Sequence, residues 1–242
     1  VPLTLLSANS ETDVLLVEMG LRKKGDLTYL TQLVQPNIVI MTGIGKAHIE
    51  FFSNQRQLAH AKCEIFRRAL QWQSNATRHA FIQYRSAYSS LIQEKAHRAG
   101  YEIIPYEGDD KLSENLNLSY AIGNHFNLSE ETIQNGLSRF QSSSHRLNVL
   151  KTPTITLIDD SYNANPDGVQ YALQYMRRFK GRKIIVLGDM LELGKHSQAE
   201  HQAIVDHAIN EEVDLMFLFG EQTKQMSSDV LSLLHYESRD EL

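Results

Sequence analysis

The residues best able to do chemistry in this chain lie in one polar run, residues 159–165. Its members carry carboxylates, a hydroxyl, a phenol and carboxamides: Asp159, Asp160, Ser161, Tyr162, Asn163 and Asn165. Residues 154–158 before it are β-branched or apolar, which predicts a short buried strand. Asn165 as N-cap and Pro166 at the first helical position predict a helix after it. Ligands bind at such strand ends in open α/β sheets, but the same residues also build ordinary capped turns.

Length and composition restrict the class of protein. The chain has 242 residues, 42% hydrophobic and 22% charged, which indicates a globular protein of one large or two ordinary domains. A net charge of -5 without a basic stripe does not indicate a nucleic-acid binder, and no apolar run is long enough to span a bilayer. Cys63 is the only cysteine, so no internal disulfide forms and a cytoplasmic location is expected. Its setting indicates a helix residue rather than a nucleophile.

The first half of the chain predicts a βαβ unit. Residues 13–19 have the pattern of a buried strand that closes on Glu18, residues 26–34 that of a helix, and residues 37–42 that of a second buried strand. Continuous apolar strands joined by a helix favour a parallel sheet that is covered on both faces.

Gly43 and Gly45 follow the second strand, which is typical of dinucleotide-binding loops. His48 stands where that fingerprint has its third glycine, so a tight turn with close backbone approach is the simpler interpretation. Residues 55–70 predict a strong helix that contains Lys62. On composition alone, Lys62 is interpreted as a boundary lysine with its amine in water.

The remaining elements predict a second domain. In the rest of the first domain we expect strands at 81–84 and 101–106 and helices at 88–98, 116–126 and 130–140. From residue 154 the pattern alternates, with helices at 167–179, 197–210 and from about 222, and strands at 183–187 and 214–219. This alternation predicts a Rossmann-like βαβαβ domain. We place the domains at residues 1–147 and 148–242.

Several motifs, in this order and spacing, resemble those of the Mur ligases. They occupy residues 14–20, 43–50, 61–66, 145–147 and 158–166. The sequence Gly-Asp-Met-Leu-Glu-Leu-Gly at 188–194 and the Tyr-Asn-Ala-Asn-Pro form are similar to the branch that joins D-alanyl-D-alanine to UDP-N-acetylmuramoyl-tripeptide. The resemblance implies an α/β fold: a partial central ATPase domain, mostly a parallel sheet flanked by helices, and a Rossmann-like C-terminal domain.

The activity that the resemblance implies is ATP-dependent amide formation in peptidoglycan precursor synthesis. The tripeptide carboxylate attacks the γ-phosphate of ATP, and the amine of D-alanyl-D-alanine then displaces phosphate from the acyl phosphate. Positioning and charge neutralisation dominate such chemistry. A monomer is expected.

The resemblance also implies roles for individual residues. Glu18, His48 and Lys62 would bind two Mg²⁺ ions, with Lys62 carbamylated by CO₂ so that it becomes an anionic ligand. ATP would be bound by Asn117, Arg146, Asp160 and Asn163, and the second substrate by Asn163 and Asn165. Lys62, His48 and Arg146 would be the catalytic residues.

Some family features are missing, and alternatives stay open. The Gly-rich phosphate loop of the family precedes the position of Val1, and Gly43 stands where the family usually has Asn. We expect an internal piece of a longer enzyme that is inactive by itself. The alternatives are another Mur ligase, a folylpolyglutamate synthase, which residues 20–27 disfavour, or a non-catalytic binding module that kept the fold.

Overall fold

The computed structural model describes residues 1–67 and 77–237. It divides into two compact units. The first unit comprises Val1–Ile44 and Phe51–Arg139, and the second comprises Gly45–Glu50 and Phe140–Leu242. This division reflects packing within the chain, and the domain limits of 1–147 and 148–242 stay a prediction.

The first unit is built on a three-stranded parallel sheet in the order β1-β2-β3. Its strands are β1 (Ile38–Met41), β2 (Arg78–Gln83) and β3 (Tyr101–Tyr106). Val39, Ala80 and Ile82 are almost fully buried, as continuous apolar strands under helices should be.

The described residues of this unit form six helices, and polar caps define the starts of several. They are α1 (Pro2–Leu6), α2 (Asp26–Val34), α3 (Gln55–Lys62), α4 (Ser89–Arg98), α5 (Lys111–His125) and α6 (Glu130–Ser138). The side chain of Asn54 caps α3, Asp110 forms a capping box at α5, and Ser129 caps α6 as predicted. A 3₁₀ turn at Ile49–Phe51 precedes α3.

Two predictions for the first unit need correction. Residues 13–19 do not form a strand, and Val14 and Leu16 are exposed. An apolar segment becomes a strand only where a neighbouring strand pairs with it, and β2 is the one described strand that pairs with β1. The helix predicted at 55–70 changes to a 3₁₀ turn at Cys63–Phe66, and its last three residues lie outside the described residues.

The second unit contains a hairpin and a parallel sheet. In the hairpin, β4 (Asn148–Lys151) pairs antiparallel with β5 (Thr156–Asp159). The sheet has the order β6-β7-β8, with β6 (Ile184–Gly188), β7 (Leu215–Phe219) and β8 (Ser232–Tyr236).

Helices and 3₁₀ turns complete the described part of the second unit after residue 140. The helices are α7 (Pro166–Met176) and α8 (Ser197–Asn210), and the turns are Gly194–His196 and Thr223–Gln225. The core beneath them contains Leu173, Met190, Leu193, Ile204, Met216 and Leu218, each at most 2% exposed.

Two predictions for the second unit also need correction. The strand predicted at 154–158 exists as β5, but Ile155 and Leu157 are 62% and 52% exposed, because the strand belongs to a surface hairpin. Instead of a helix from residue 222, the chain makes one 3₁₀ turn and then β8. The edge of β7 provides backbone partners for β8, which a single-segment pattern does not reveal.

The predicted fold class is confirmed: parallel sheets are flanked by helices in a mixed α/β protein. Within the described residues, no helix combines the length and apolar character needed to cross a membrane.

Candidate functional site

Two loops of the second unit meet because β4 and β5 pair. Asn148 lies opposite Asp159, so the connector loop (residues 145–147) before β4 lies beside the polar run after β5. The imidazole Nδ1 of His145 lies 2.8 Å from the Asp159 carboxylate. The backbone N–H of Tyr162 donates to the carbonyl of His145 at 3.0 Å. The sequence therefore brings two predicted motifs together at one edge of the hairpin.

Arg146 is exposed at the centre of the connector loop. Its guanidinium lies 4.0 Å from the ring centre of Tyr162, a cation–π contact that orients the planar donor group. The flanking His145 and Leu147 have φ of 63° and 49°, in the left-handed region that residues other than glycine rarely adopt. Strained backbone of this kind is typical of functional loops.

The two adjacent carboxyl groups of the polar run have opposite pKa shifts. Partial burial raises the pKa of Asp160, although its Oδ1 accepts a hydrogen bond from the Leu147 backbone N–H at 3.1 Å. Hydrogen bonds from the Ser161 hydroxyl and backbone N–H, followed by His145, lower the pKa of Asp159. The two adjacent carboxyl groups therefore differ in how readily they take up a proton.

The end of the polar run starts α7. Asn165 is the N-cap, and its side-chain oxygen accepts from the Gly168 backbone N–H at 3.0 Å. Pro166 occupies the first helical position as predicted. Asn163 is exposed just before the cap. Asn165 thus has a structural role, and the substrate-binding roles of both residues stay predictions.

The segment Gly45–Glu50 packs within the second unit. The Lys46 backbone N–H donates to the Asp167 carboxylate at 2.8 Å, and the Lys46 ammonium pairs with Glu200 at 2.8 Å. His48 pairs through Nδ1 with the Glu192 carboxylate. These acidic partners are well separated in sequence from the segment, so pattern analysis did not identify them.

Glu192 belongs to the loop at residues 188–194, whose motif was recognised but whose members had no predicted roles. Asp189 accepts from the backbone N–H groups of Gln222 and Thr223, both at 2.9 Å. The backbone N–H of Met190 donates to Nε2 of His201, which is fully buried. The sequence signal that could have identified this structured loop is the combination of glycines, carboxylates and apolar residues in its motif.

The other predicted site residues belong to the first unit. Glu18 is exposed in a segment without regular secondary structure, and Lys62 is half-buried as the last residue of α3. Asn117 lies on α5 and donates through Nδ2 to the Glu107 carbonyl at 2.7 Å. Within the described residues, no group of three or more His, Cys, Asp or Glu side chains could hold a metal ion. The magnesium-binding roles of Glu18, His48 and Lys62 stay predictions.

A cavity of about 720 Å³ lies beside the end of α3 in the first unit. Its walls include apolar side chains, among them Phe52 and Phe66, and several cationic ones, Lys24, Arg67, Lys95 and Arg98. Cys63 also lines it, but burial raises the pKa of its thiol to about 11. A neutral thiol is a poor nucleophile, so Cys63 is a packing residue.

Sequence comparison matches two consecutive family domains. The Mur ligase middle domain matches residues 1–141, and the glutamate ligase domain of the Mur ligases matches residues 145–242. The UDP-N-acetylmuramoyl-tripeptide–D-alanyl-D-alanine ligase of Haemophilus influenzae is 26% identical over the whole chain. The chain spans 59% of the length of that relative.

Solved structures show the same fold. A crystal structure of MurF from Acinetobacter baumannii superposes with a TM-score of 0.87 at 24% identity, covering 99% of this chain and 59% of that one. MurF from Thermotoga maritima, crystallised in complex with ADP, superposes with a TM-score of 0.82 at 18% identity and covers 99% of this chain and 62% of its own.

Proposed function

Because the chain belongs to the Mur ligase family, we propose that it forms the central and C-terminal parts of an ATP-dependent ligase that joins D-alanyl-D-alanine to UDP-N-acetylmuramoyl-tripeptide. One observation carries the proposal: two family domains match in order along nearly the whole chain, and a curated relative of that name aligns along the whole of this chain. The T. maritima neighbour was solved with ADP, which supports a nucleotide site.

The proposed reaction has two steps. An oxygen of the tripeptide carboxylate attacks the γ-phosphorus of ATP, the bond to the bridging oxygen breaks, and ADP leaves with an acyl phosphate formed. The amine of D-alanyl-D-alanine then attacks the acyl carbon, loses a proton and expels inorganic phosphate. Both steps build negative charge on oxygens, so oriented donors contribute most of the catalysis.

Arg146 and Asp160 are the proposed nucleotide residues of the second unit. Tyr162 holds the Arg146 guanidinium as a planar donor group, which suits phosphate oxygens. Asp160 uses Oδ1 for Leu147, and its half-buried carboxylate is proposed to accept from the ribose hydroxyls. Asn163 and Asn165 are proposed to orient nucleotide or incoming amine, with Asn165 acting from the start of α7.

In the first unit, Asn117 is proposed to approach the adenine. Its side chain donates to the Glu107 carbonyl, which fixes the amide group at the exposed surface of α5. The basic wall of the cavity beside α3 supports binding of a phosphate-bearing ligand in this unit.

The magnesium proposal rests on the family resemblance. Glu18, His48 and a carbamate on Lys62 have the ligand chemistry for Mg²⁺, which would neutralise phosphate charge when bound. The monomeric state and the cytoplasmic location likewise stay predictions.

The alternatives have less support. A folylpolyglutamate synthase from T. maritima superposes with a TM-score of only 0.51 at 13% identity. A binding module that lost catalysis would explain the fold but not the family motifs in both matched domains.

Substrate dependence of phosphate release tests the proposal. The whole protein that contains this chain would be incubated with ATP, UDP-N-acetylmuramoyl-tripeptide and D-alanyl-D-alanine, and with each omitted in turn. We expect release that requires all three. Release with glutamate and a folate instead would favour the folate-adding alternative, and ATP binding without turnover would favour the binding module.

A further inference from the structure

His48 and Glu192 face each other from two unusual backbone positions. His48 has φ of 67° and Glu192 has φ of 62°, both in the left-handed region. Such positions cost free energy and persist only where the surroundings over-determine them. The imidazole Nδ1 of His48 contacts the Glu192 carboxylate, and about one third of each side chain is exposed.

Backbone contacts hold the two residues in register. The Glu50 N–H donates to the Glu192 carbonyl at 3.1 Å. Gly194 has φ of 53°, and a Cβ there would lie 2.9 Å from Cβ of Glu50. Only glycine therefore allows the loop at 188–194 to approach the segment Gly45–Glu50 this closely.

The loop that carries Glu192 is itself anchored in the core. The Met190 N–H donates to Nε2 of His201 at 3.0 Å, and Nδ1 of His201 lies 2.8 Å from the Ser197 carbonyl. His201 is thus a neutral imidazole with its proton on Nδ1, since Nε2 must accept. On the other side, Asp167 and Glu200 hold Lys46, two residues before His48.

We propose that Glu192 is a positioning residue that fixes the orientation and tautomer of His48. The carboxylate accepts a hydrogen bond from Nδ1–H of the imidazole, so the proton stays on Nδ1, and the lone pair lies on Nε2 and is presented to a ligand of the reaction. Carboxylate partners orient functional imidazoles in this way in many sites. The inference rests on the proposed function only in naming the reaction that His48 serves.

The test combines the tautomer of His48 with kinetics of the whole protein. ¹⁵N-histidine labelling reports which ring nitrogen carries the proton, with His48→Gln used to assign the signal, in metal-free protein at about pH 9, where free imidazole is neutral. Three variants are compared: Glu192→Ala, Glu192→Gln, whose amide oxygen still accepts from Nδ1–H, and Glu212→Ala. Glu212 is a matched control, because it is exposed and has φ of 54° away from the site.

We expect the Nδ1–H tautomer in wild type, Glu192→Gln and Glu212→Ala, and a shift towards Nε2–H in Glu192→Ala. We also expect kcat to fall about 10- to 100-fold in Glu192→Ala, with most of the rate retained in Glu192→Gln. An unchanged tautomer in a folded Glu192→Ala would overturn the inference, as would a wild-type His48 protonated on Nε2. If the tautomer shifts but no variant or wild type has ligase activity, the proposed function fails while the positioning role stands.

Discussion

The candidate residues of the two units differ in how they are held. In the second unit, Arg146 and Asp160 contact groups from other segments, and the connector loop and the polar run bond to each other through backbone and side chains. In the first unit, Glu18 is exposed in a segment without regular secondary structure, and the side chain of Asn117 donates to a nearby backbone carbonyl. The structure thus gives physical reasons for roles in the second unit, whereas roles in the first depend on family resemblance.

Substitution of Lys62, in the first unit, should have the largest effect and tests whether a role that depends on family resemblance is real. If Lys62 carries a carbamate, Lys62→Ala removes an anionic ligand from the phosphoryl-transfer site and lowers the rate of the whole protein by about 100-fold or more. Lys62→Arg should be equally impaired, because guanidinium keeps its positive charge. Ligase rates of both variants provide the measurement.

Added formate or acetate serves as the control, since either supplies carboxylate oxygens to the gap left in Lys62→Ala. Restored activity would support the carbamate. Near-normal activity without an additive would show that Lys62 is a boundary lysine, whose loss changes stability by under about 0.5 kcal/mol.

Substitution of Asp160 tests the second unit, where contacts with other segments hold the candidate residues. Asp160→Asn keeps an oxygen for the Leu147 N–H but removes the charge, so KM for ATP should rise about 10-fold, as for a lost charge-assisted hydrogen bond. Asp159→Asn is the neighbouring control: it should lower the melting temperature without changing KM for ATP. Equal ATP kinetics for wild type and Asp160→Asn would make Asp160 a turn residue.

The raised pKa of Asp160 predicts a pH dependence. As pH falls through this raised pKa, the carboxyl takes up a proton and KM for ATP rises at a higher pH than an ordinary aspartate would cause. A carboxyl with a raised pKa in the folded state binds protons more readily there than in the unfolded state, so its contribution to stability falls as pH rises. Asp160→Asn should therefore be at least as stable as wild type at pH 7 and lose the acid limb of KM.

How far sequence could predict this molecule depended on whether the signal was local. The caps at Ser129 and Asn165 were correctly predicted, because an N-cap is a bond between neighbours in sequence. The strand at 13–19 was wrong and β8 was missed, because strands depend on partners far along the chain. The contacts of Glu192 with residues 48 and 50 could not be predicted from the sequence either, since they join segments more than 140 residues apart.

Substitution of Gly45 tests whether the close packing of the segment Gly45–Glu50 within the second unit contributes to stability. A Cβ at Gly45 would lie 2.4 Å from the Asp167 carboxylate, which must then leave the Lys46 N–H. We expect Gly45→Ala to lower the free energy of unfolding by about 1–3 kcal/mol. Gly136→Ala in α6 is the contrasting control, since that Cβ meets nothing within 4 Å and alanine favours a helix interior by about 0.5–1 kcal/mol. Chemical denaturation measures the free energy of unfolding of both variants. An unchanged value for Gly45→Ala would show that the contact between Asp167 and the Lys46 N–H is not needed for stability.

Alkylating reagents are expected to have the smallest effect, because the Cys63 thiol of the folded protein should react slowly. With a pKa of about 11, its thiol is neutral at pH 8, so iodoacetamide should modify it about 100-fold more slowly in the folded than in the unfolded protein. Mass spectrometry of native and denatured samples gives the ratio. Rapid alkylation of the folded protein with loss of activity would place a reactive thiol beside α3 and contradict its role as a packing residue.

Oxygen transfer from substrate to phosphate tests the proposed ligase reaction most directly. The whole protein would receive ATP, D-alanyl-D-alanine and UDP-N-acetylmuramoyl-tripeptide labelled with ¹⁸O in its terminal carboxylate. An acyl phosphate intermediate predicts one ¹⁸O in each inorganic phosphate released, together with a pentapeptide product that has lost one labelled oxygen. Unlabelled phosphate, or ATP hydrolysis without a pentapeptide, would contradict it.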